Sequence, residues 1–346
     1  MKAFVIERYG KQERLKPADV PEPTLGEHDV LVQVHAASIN PLDIKLKSGA
    51  LRRVVPLRLP LVLGNDLAGV VSQVGARVTG FKPGDEVYAR TDTARIGAFA
   101  DRIAVSEANV APKPAGLSME QAASLPLVAL TAWQALVEKA NLQKGQKVFV
   151  HAGSGGVGSI AIQLARHLGA SVATTTSTAN VALVKSLGAD IVIDYRKDDF
   201  EKILRGYDVV LHSLGTDELE KSLSVLKPGG LLISISGPPD PDFARSAGMP
   251  KLVQLIIRLI SRKIRKQASR HQVRYSFLFM QPSGRQLRRL GELIGEGAIR
   301  PVIDKVFAFE DTDEALAYVE TGRARGKVVV RVQQPVPAAT PVPIAQ

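Results

Sequence analysis

The chain has 346 residues, 45% of them hydrophobic, with 45 Lys and Arg against 34 Asp and Glu and no cysteine. The length allows two lobes, and the lack of cysteine excludes disulfides, a thiolate nucleophile and Cys-ligated zinc. The formal charge of +11 is concentrated in residues 251–274, which hold eight Lys or Arg and no acid. No nucleic-acid module accompanies that block, so no nucleic-acid partner is expected. No apolar run approaches the roughly 18 residues of a membrane span, and MKAFVIERYG lacks the apolar core of a secretory signal. A cytoplasmic protein is therefore expected.

Residues 1–122 read as one antiparallel β lobe. The short runs KAFVIERY, DVLVQVHAAS, LAGVVSQVG, DEVYAR and FADRIAV are separated by Pro, Gly and Asp turns. Between the second and third runs, NPLDIKLK is a turn leading into a helix, with Asn40 placed to cap it.

From residue 123 the texture changes. VFVHAGSGGVG at 148–158 is an apolar run that breaks into glycines and opens the amphipathic IAIQLARHLGA. Gly153, Gly155 and Gly158 fit the G-x-G-x-x-G spacing of a strand-to-helix turn that receives a dinucleotide pyrophosphate. A side chain at the middle glycine would keep phosphates from the backbone N–H groups, and the helix start offers its positive dipole end. SVATTT (171–176), IVIDY (191–195), YDVVLHS (207–213) and LLISISG (231–237) alternate with helix-length stretches, including one over 216–226. Such alternation predicts a doubly wound parallel sheet of Rossmann type over 123–265.

The end of the second strand reads TTTSTAN, with no acid between Ser171 and Ala189. An NAD enzyme usually places Asp or Glu there to hold the ribose 2′-hydroxyl. Hydroxyl-rich and uncharged, this segment removes repulsion against a 2′-phosphate, and NADPH is the expected cofactor.

In MPKLVQLIIRLISRKIRKQASR, Leu252, Leu255, Ile256, Leu259, Ile260 and Ile264 recur at helical spacing, with Gln254, Arg258, Ser261 and Arg265 opposite. Two outcomes are open: peripheral contact with an anionic membrane through 251–274, or packing over the inter-lobe cleft or a partner subunit. Residues 266–332 return to the first lobe, with strand, helix and strand over 301–332, and 333–346 are expected to be a disordered Pro-rich tail.

Several motifs together, NPLDIKLKSG (40–49), GNDLAGVVSQVG (64–75), FKPGDEVYA (81–89), LPLVALTAWQAL (125–136), AGSGGVG (152–158) and GKVVV (326–330), resemble the medium-chain dehydrogenase/reductase superfamily over residues 1–332. The nearest likeness is to its zinc-independent quinone oxidoreductase and alkenal/enone reductase branch. The resemblance implies an α/β fold, with a GroES-like antiparallel catalytic lobe beside the Rossmann domain, and a homodimer through the Rossmann sheet edge. It places Asn40 and Asn65 where the zinc alcohol dehydrogenases have Cys and His ligands, and an amide is a poor ligand for zinc beside either. The six His show no i, i+4 pairing, so no metal is expected.

As catalytic candidates the resemblance implies Asn40, Asp43 and Lys45, with Lys45 near the nicotinamide ribose and Asp43 orienting either Lys45 or the backbone. For the cofactor it carries over Thr131, Ser154, Gly155, Gly156 and Val157, then Ser177, Asn180 and Tyr195 at the adenosine end, and Gly326 and Lys327. Many relatives have Lys at the position of Asn180, so a modest preference for NADPH is expected. Hydride transfer without a metal needs an acceptor that is already electrophilic, such as a quinone or an enone. An enoyl-thioester reductase, or a catalytically silent NADPH-binding regulatory protein, are the alternatives.

Overall fold

The computed structural model describes residues 1–52 and 55–333; the expected tail at 334–346 lies outside them. The strand Asp29–Ile39 is buried along almost its whole length and is paired on both edges. Asp66–Val74 runs antiparallel along one edge, while Arg102–Ser106 and Lys327–Arg331 share the other. Glu86–Arg90, Val110–Pro112 and Ile303–Ala308 complete a seven-stranded sheet. Lys16–Asp19, Lys2–Ile6 and Leu61–Val62 form a small antiparallel sheet of their own.

Register decides which side chains meet at one end of the large sheet. Ser38 lies opposite Asp66, Asp66 opposite Arg90, and Ile39 opposite Val328. Asn40, Asp66, Arg90 and Lys327 are thereby gathered at the edge that faces the second lobe.

The second lobe is a six-stranded sheet in the order Ile191–Asp194, Ser171–Thr176, Lys147–Val150, Tyr207–His212, Leu226–Ser234, Arg274–Phe277, every neighbouring pair parallel. That order reverses direction beside the first strand, where ligands bind in doubly wound sheets. Two expectations are adjusted. The helix expected over 216–226 ends at Leu223, and the next strand starts at Leu226 rather than 231, because Leu226 already pairs with Tyr207 before Gly229 and Gly230 break the register. The sheet also runs past residue 265: the expected boundary falls inside the helix Arg262–Arg270, and Arg274–Phe277 adds a sixth strand beyond it.

The two lobes touch at the glycine turn. The Gly326 N–H donates to the Ser154 carbonyl at 2.7 Å, and Gly155 and Gly326 form an isolated bridge between the sheets. Gly326 has φ +74°, and a Cβ there would lie 2.2 Å from the Val302 carbonyl oxygen, so conformation and space both demand glycine.

Candidate active site

The three glycines of the turn have different reasons. A Cβ on Gly153 would sit 2.1 Å from Thr174 Oγ1, and one on Gly158 2.3 Å from the Ala152 carbonyl oxygen; both let the helix Gly156–His167 close onto the sheet. A Cβ on Gly155 would meet only the Ala152 oxygen, at 3.3 Å, and φ there is −82°. The space left by its missing side chain belongs to an open cleft of about 560 Å³ between the lobes.

Gly155, Gly156 and Val157 line that cleft on one side, Asn40 and Lys45 on the other, with Thr131, Gly326 and Lys327 between them. Thr131 Oγ1 donates to the Leu127 carbonyl at 2.7 Å, which leaves its lone pairs free to accept. The remaining walls are largely apolar and include Leu42, Leu51, Phe243, Phe277, Leu278 and Phe279.

Asn40 caps the helix Pro41–Lys47 and is fully buried. Its backbone N–H donates to Asp43 Oδ2 at 2.8 Å, and its Nδ2 donates to Asp66 Oδ2 at 2.9 Å. Lys327 Nζ donates to Asn40 Oδ1, to the Ile39 carbonyl at 2.9 Å and to Asp66 Oδ2 at 3.4 Å. Asp66 also accepts from Ser38 Oγ and, through Oδ1, from the Leu127 N–H at 2.9 Å. Asp43 Oδ1 takes the Asn65 amide at 2.7 Å, so Asp43 orients the backbone of Asn40 and the Asn65 side chain rather than Lys45. Burial pushes the Asp43 carboxyl up to about 6, opposed by those hydrogen bonds, and burial lowers Lys327. Lys45 is exposed at the cleft.

Arg90 was not singled out by the sequence, although it closes the buried run VYAR. It is almost fully buried, lines the cleft, and gives Nη1 to the Thr91 carbonyl and to Thr93 Oγ1. Its Nε has no partner. Burial lowers its affinity for the proton, while Asp66 and Asp43 nearby support the charge. The Nε is itself buried, so the guanidinium stands behind the cleft wall, and what it offers the apolar cleft is its positive charge.

Ser154, Ser177, Asn180 and Tyr195 lie outside the cleft proper, around the C-terminal end of Ser171–Thr176. Asn180 Nδ2 donates to Ser154 Oγ and Ser177 Oγ, both at 3.2 Å, and Asn180 Oδ1 is buried without a partner. Tyr195 is 60% exposed. Thr178 Oγ1 donates to Asp194 Oδ2 at 2.5 Å, which ties the loop Tyr195-Arg196-Lys197 to this turn. Arg196 and Lys197 were also missed: they follow the third strand, and that link, with the Tyr195 N–H donated to the Thr176 carbonyl at 3.1 Å, brings them to the end of the second. His151 and His212 are buried at the strand ends, bonded to Ser222 and to Ser234 and Gly215, and burial pushes both down.

Fold and site together define a two-lobe, dinucleotide-dependent oxidoreductase whose reacting space lies between the lobes. Residues 26–115 match the family described as alcohol dehydrogenase GroES-like domain, and 187–330 the family described as zinc-binding dehydrogenase. The chain is 39% identical to the 2-methylene-furan-3-one reductase of Solanum lycopersicum, over 95% of this chain and 79% of that one. It is 36% identical, over the same shares, to the chloroplastic NADPH-dependent alkenal/one oxidoreductase of Arabidopsis thaliana. The structure of the quinone oxidoreductase from Coxiella burnetii superposes with a TM-score of 0.81 at 32% identity, over 96% of this chain and 99% of that one. The chain belongs to the quinone oxidoreductase and alkenal/enone reductase branch of the medium-chain dehydrogenases/reductases.

The zinc implied by the second family description does not fit these residues. At the position of the usual first ligand, the Asn40 amide is spent on Asp66 and on the Lys327 ammonium, and a cation already seated there opposes a second. Among the described residues no three His, Cys, Asp or Glu converge as a metal site. A dinucleotide does fit, in the space over Gly155 and beside the unpaired Asn180 oxygen.

Proposed function

We propose that the chain uses NADPH to reduce a quinone or the conjugated double bond of an α,β-unsaturated carbonyl. The observation that carries this reading is the cleft itself: apolar walls that end on three cationic residues, Lys45, Arg90 and Lys327, with the amide of Asn40 where a zinc enzyme would present a metal ligand. When bound, the dihydronicotinamide supplies the hydride.

The chain's own residues do the rest. Gly155 leaves room for the pyrophosphate against the first N–H groups of Gly156–His167. Ser177, Asn180 and Tyr195, with Arg196 and Lys197 beside them, surround the adenosine 2′-phosphate. Leu42, Leu51 and the Phe277–Phe279 wall hold the acceptor flat and keep water from it. Arg90 sets a positive charge just behind the cleft wall, toward the oxygen on which charge accumulates, and Lys45 adds a second at the solvent-open end, where a proton is replaced from bulk water.

The test is NADPH oxidation by a panel of a benzoquinone, a short alkenal, an enoyl thioester and a saturated aldehyde. Turnover of the first two, unchanged by chelator, is expected. Turnover of the thioester alone would identify an enoyl-thioester reductase, and binding without turnover a regulatory protein. Replacing Arg90 by Met, which keeps its length, should lower kcat/KM by about 10², and Lys45→Ala should weaken NADPH binding or turnover.

A further inference from the structure

We propose that the helices Lys251–Ile260 and Arg262–Arg270 form a docking surface for an anionic lipid bilayer, on which the protein lies without crossing it. The inference is independent of the acceptor assigned above. In an ordinary surface helix the apolar stripe faces the core. Here the first helix is inverted: Leu252, Leu255, Leu259 and Ile260 are 70%, 52%, 60% and 57% exposed, and Ile256 is exposed with them. The inward side is carried by Ile257, Gln254 and the fully buried Ser261, whose hydroxyl donates back to the Ile257 carbonyl at 2.8 Å. Ile264, grouped by spacing with the apolar stripe, turns inward with Ala268 in the second helix. The outward i, i+3, i+7 positions there are Lys263, Lys266 and Arg270.

The exposed side of the first helix is thus apolar, and that of the helix following it is basic. Arg265 is held by Ser261 and the Arg258 carbonyl, and Lys263 by Glu220. Lys251, Arg258, Arg262, Lys266 and Arg270 make no ion pair among the described residues, and residues 251–274 contain no acid. A second copy is a poor occupant, because a twofold interface would press this cationic surface against itself. An anionic headgroup layer satisfies the charge while Leu252, Leu255 and Leu259 enter the acyl boundary. No helix of the described residues is long and apolar enough to span a membrane.

Flotation of the full chain with phosphatidylcholine vesicles, with and without one third phosphatidylglycerol, tests this. The wild type should float only with anionic vesicles at low salt, and be released at about 0.5 M salt, where screening shortens to roughly 4 Å. L255Q/L259Q should abolish flotation. K266Q/R270Q should lower the partition coefficient by about fivefold per residue removed. All these side chains are exposed, so an unchanged melting temperature serves as the folding control. The proposal fails if the wild type does not float with anionic vesicles at low salt, or if both variants float as it does. It fails equally if sedimentation shows a dimer that L255Q/L259Q dissociates while no form binds vesicles; the surface would then join two copies of the chain.

Discussion

Asp43 is a carboxylate held where ionisation is disfavoured, and that has a signed consequence. With its folded value near 6 against an ordinary 3.8, the native state binds this proton more tightly than the unfolded chain does. Its contribution to stability therefore falls as pH rises from about 4 to about 6, by about 3 kcal/mol. The melting-temperature difference between wild type and Asp43→Asn, followed across that window, should change in that direction. The glycine turn separates two other roles. Gly155→Ala should keep the melting temperature and lose NADPH affinity in a fluorescence titration, whereas Gly158→Ala, whose Cβ would strike the Ala152 carbonyl, should destabilise by about 1–3 kcal/mol. Equal melting temperatures for the two would contradict this division. The glycines were legible in the sequence because close backbone approach leaves one residue type only at Gly153 and Gly158, and Gly155 falls at the middle of the same spacing. Arg90 and Asp66 were not, since their meeting depends on strand register, which a single chain of letters does not disclose.

At the level of elements, strands whose apolar runs stand between turn residues were legible, as SVATTT and DVLVQVHAAS illustrate. Arg274–Phe277 was not, because RYSF is short and sits at the end of a basic stretch that reads as helix. The amphipathic pattern of 251–264 was visible, but not which side it would bury. Two buried groups at strand ends give further expectations. Lys327 heads the strand that closes the first lobe, and Lys327→Met would leave Asp66 buried without its ammonium, lowering stability by about 3–5 kcal/mol in chemical denaturation; a loss of activity at constant stability would disprove that role. His212 closes the strand Tyr207–His212, and burial pushes it to about 4. Because its folded value lies below the ordinary 6.5, it contributes stability that is present above about pH 6.5 and lost as pH falls toward 4, amounting to about 3 kcal/mol. His212→Gln should flatten the acid limb of the stability profile.

At the level of the whole molecule, the strand Lys327–Arg331 pairs with Ala36–Ile39 across almost the full length of the chain. On a ribosome adding about 5–20 residues per second, that half of the strand Asp29–Ile39 waits on the order of 15–60 s for its neighbour. Throughout that interval its N–H and C=O groups form an open sheet edge, Asp66 lacks the ammonium that neutralises it, and Asn40 Oδ1 lacks its donor. The second lobe is complete through Phe277 before the first can close. Nascent chains stalled with residue 300 just outside the exit tunnel should therefore be protease-resistant over the Rossmann sheet and cleavable in the N-terminal lobe, with resistance there gained only once residue 331 has also left it. The first part of the protein to be made is the last to become native.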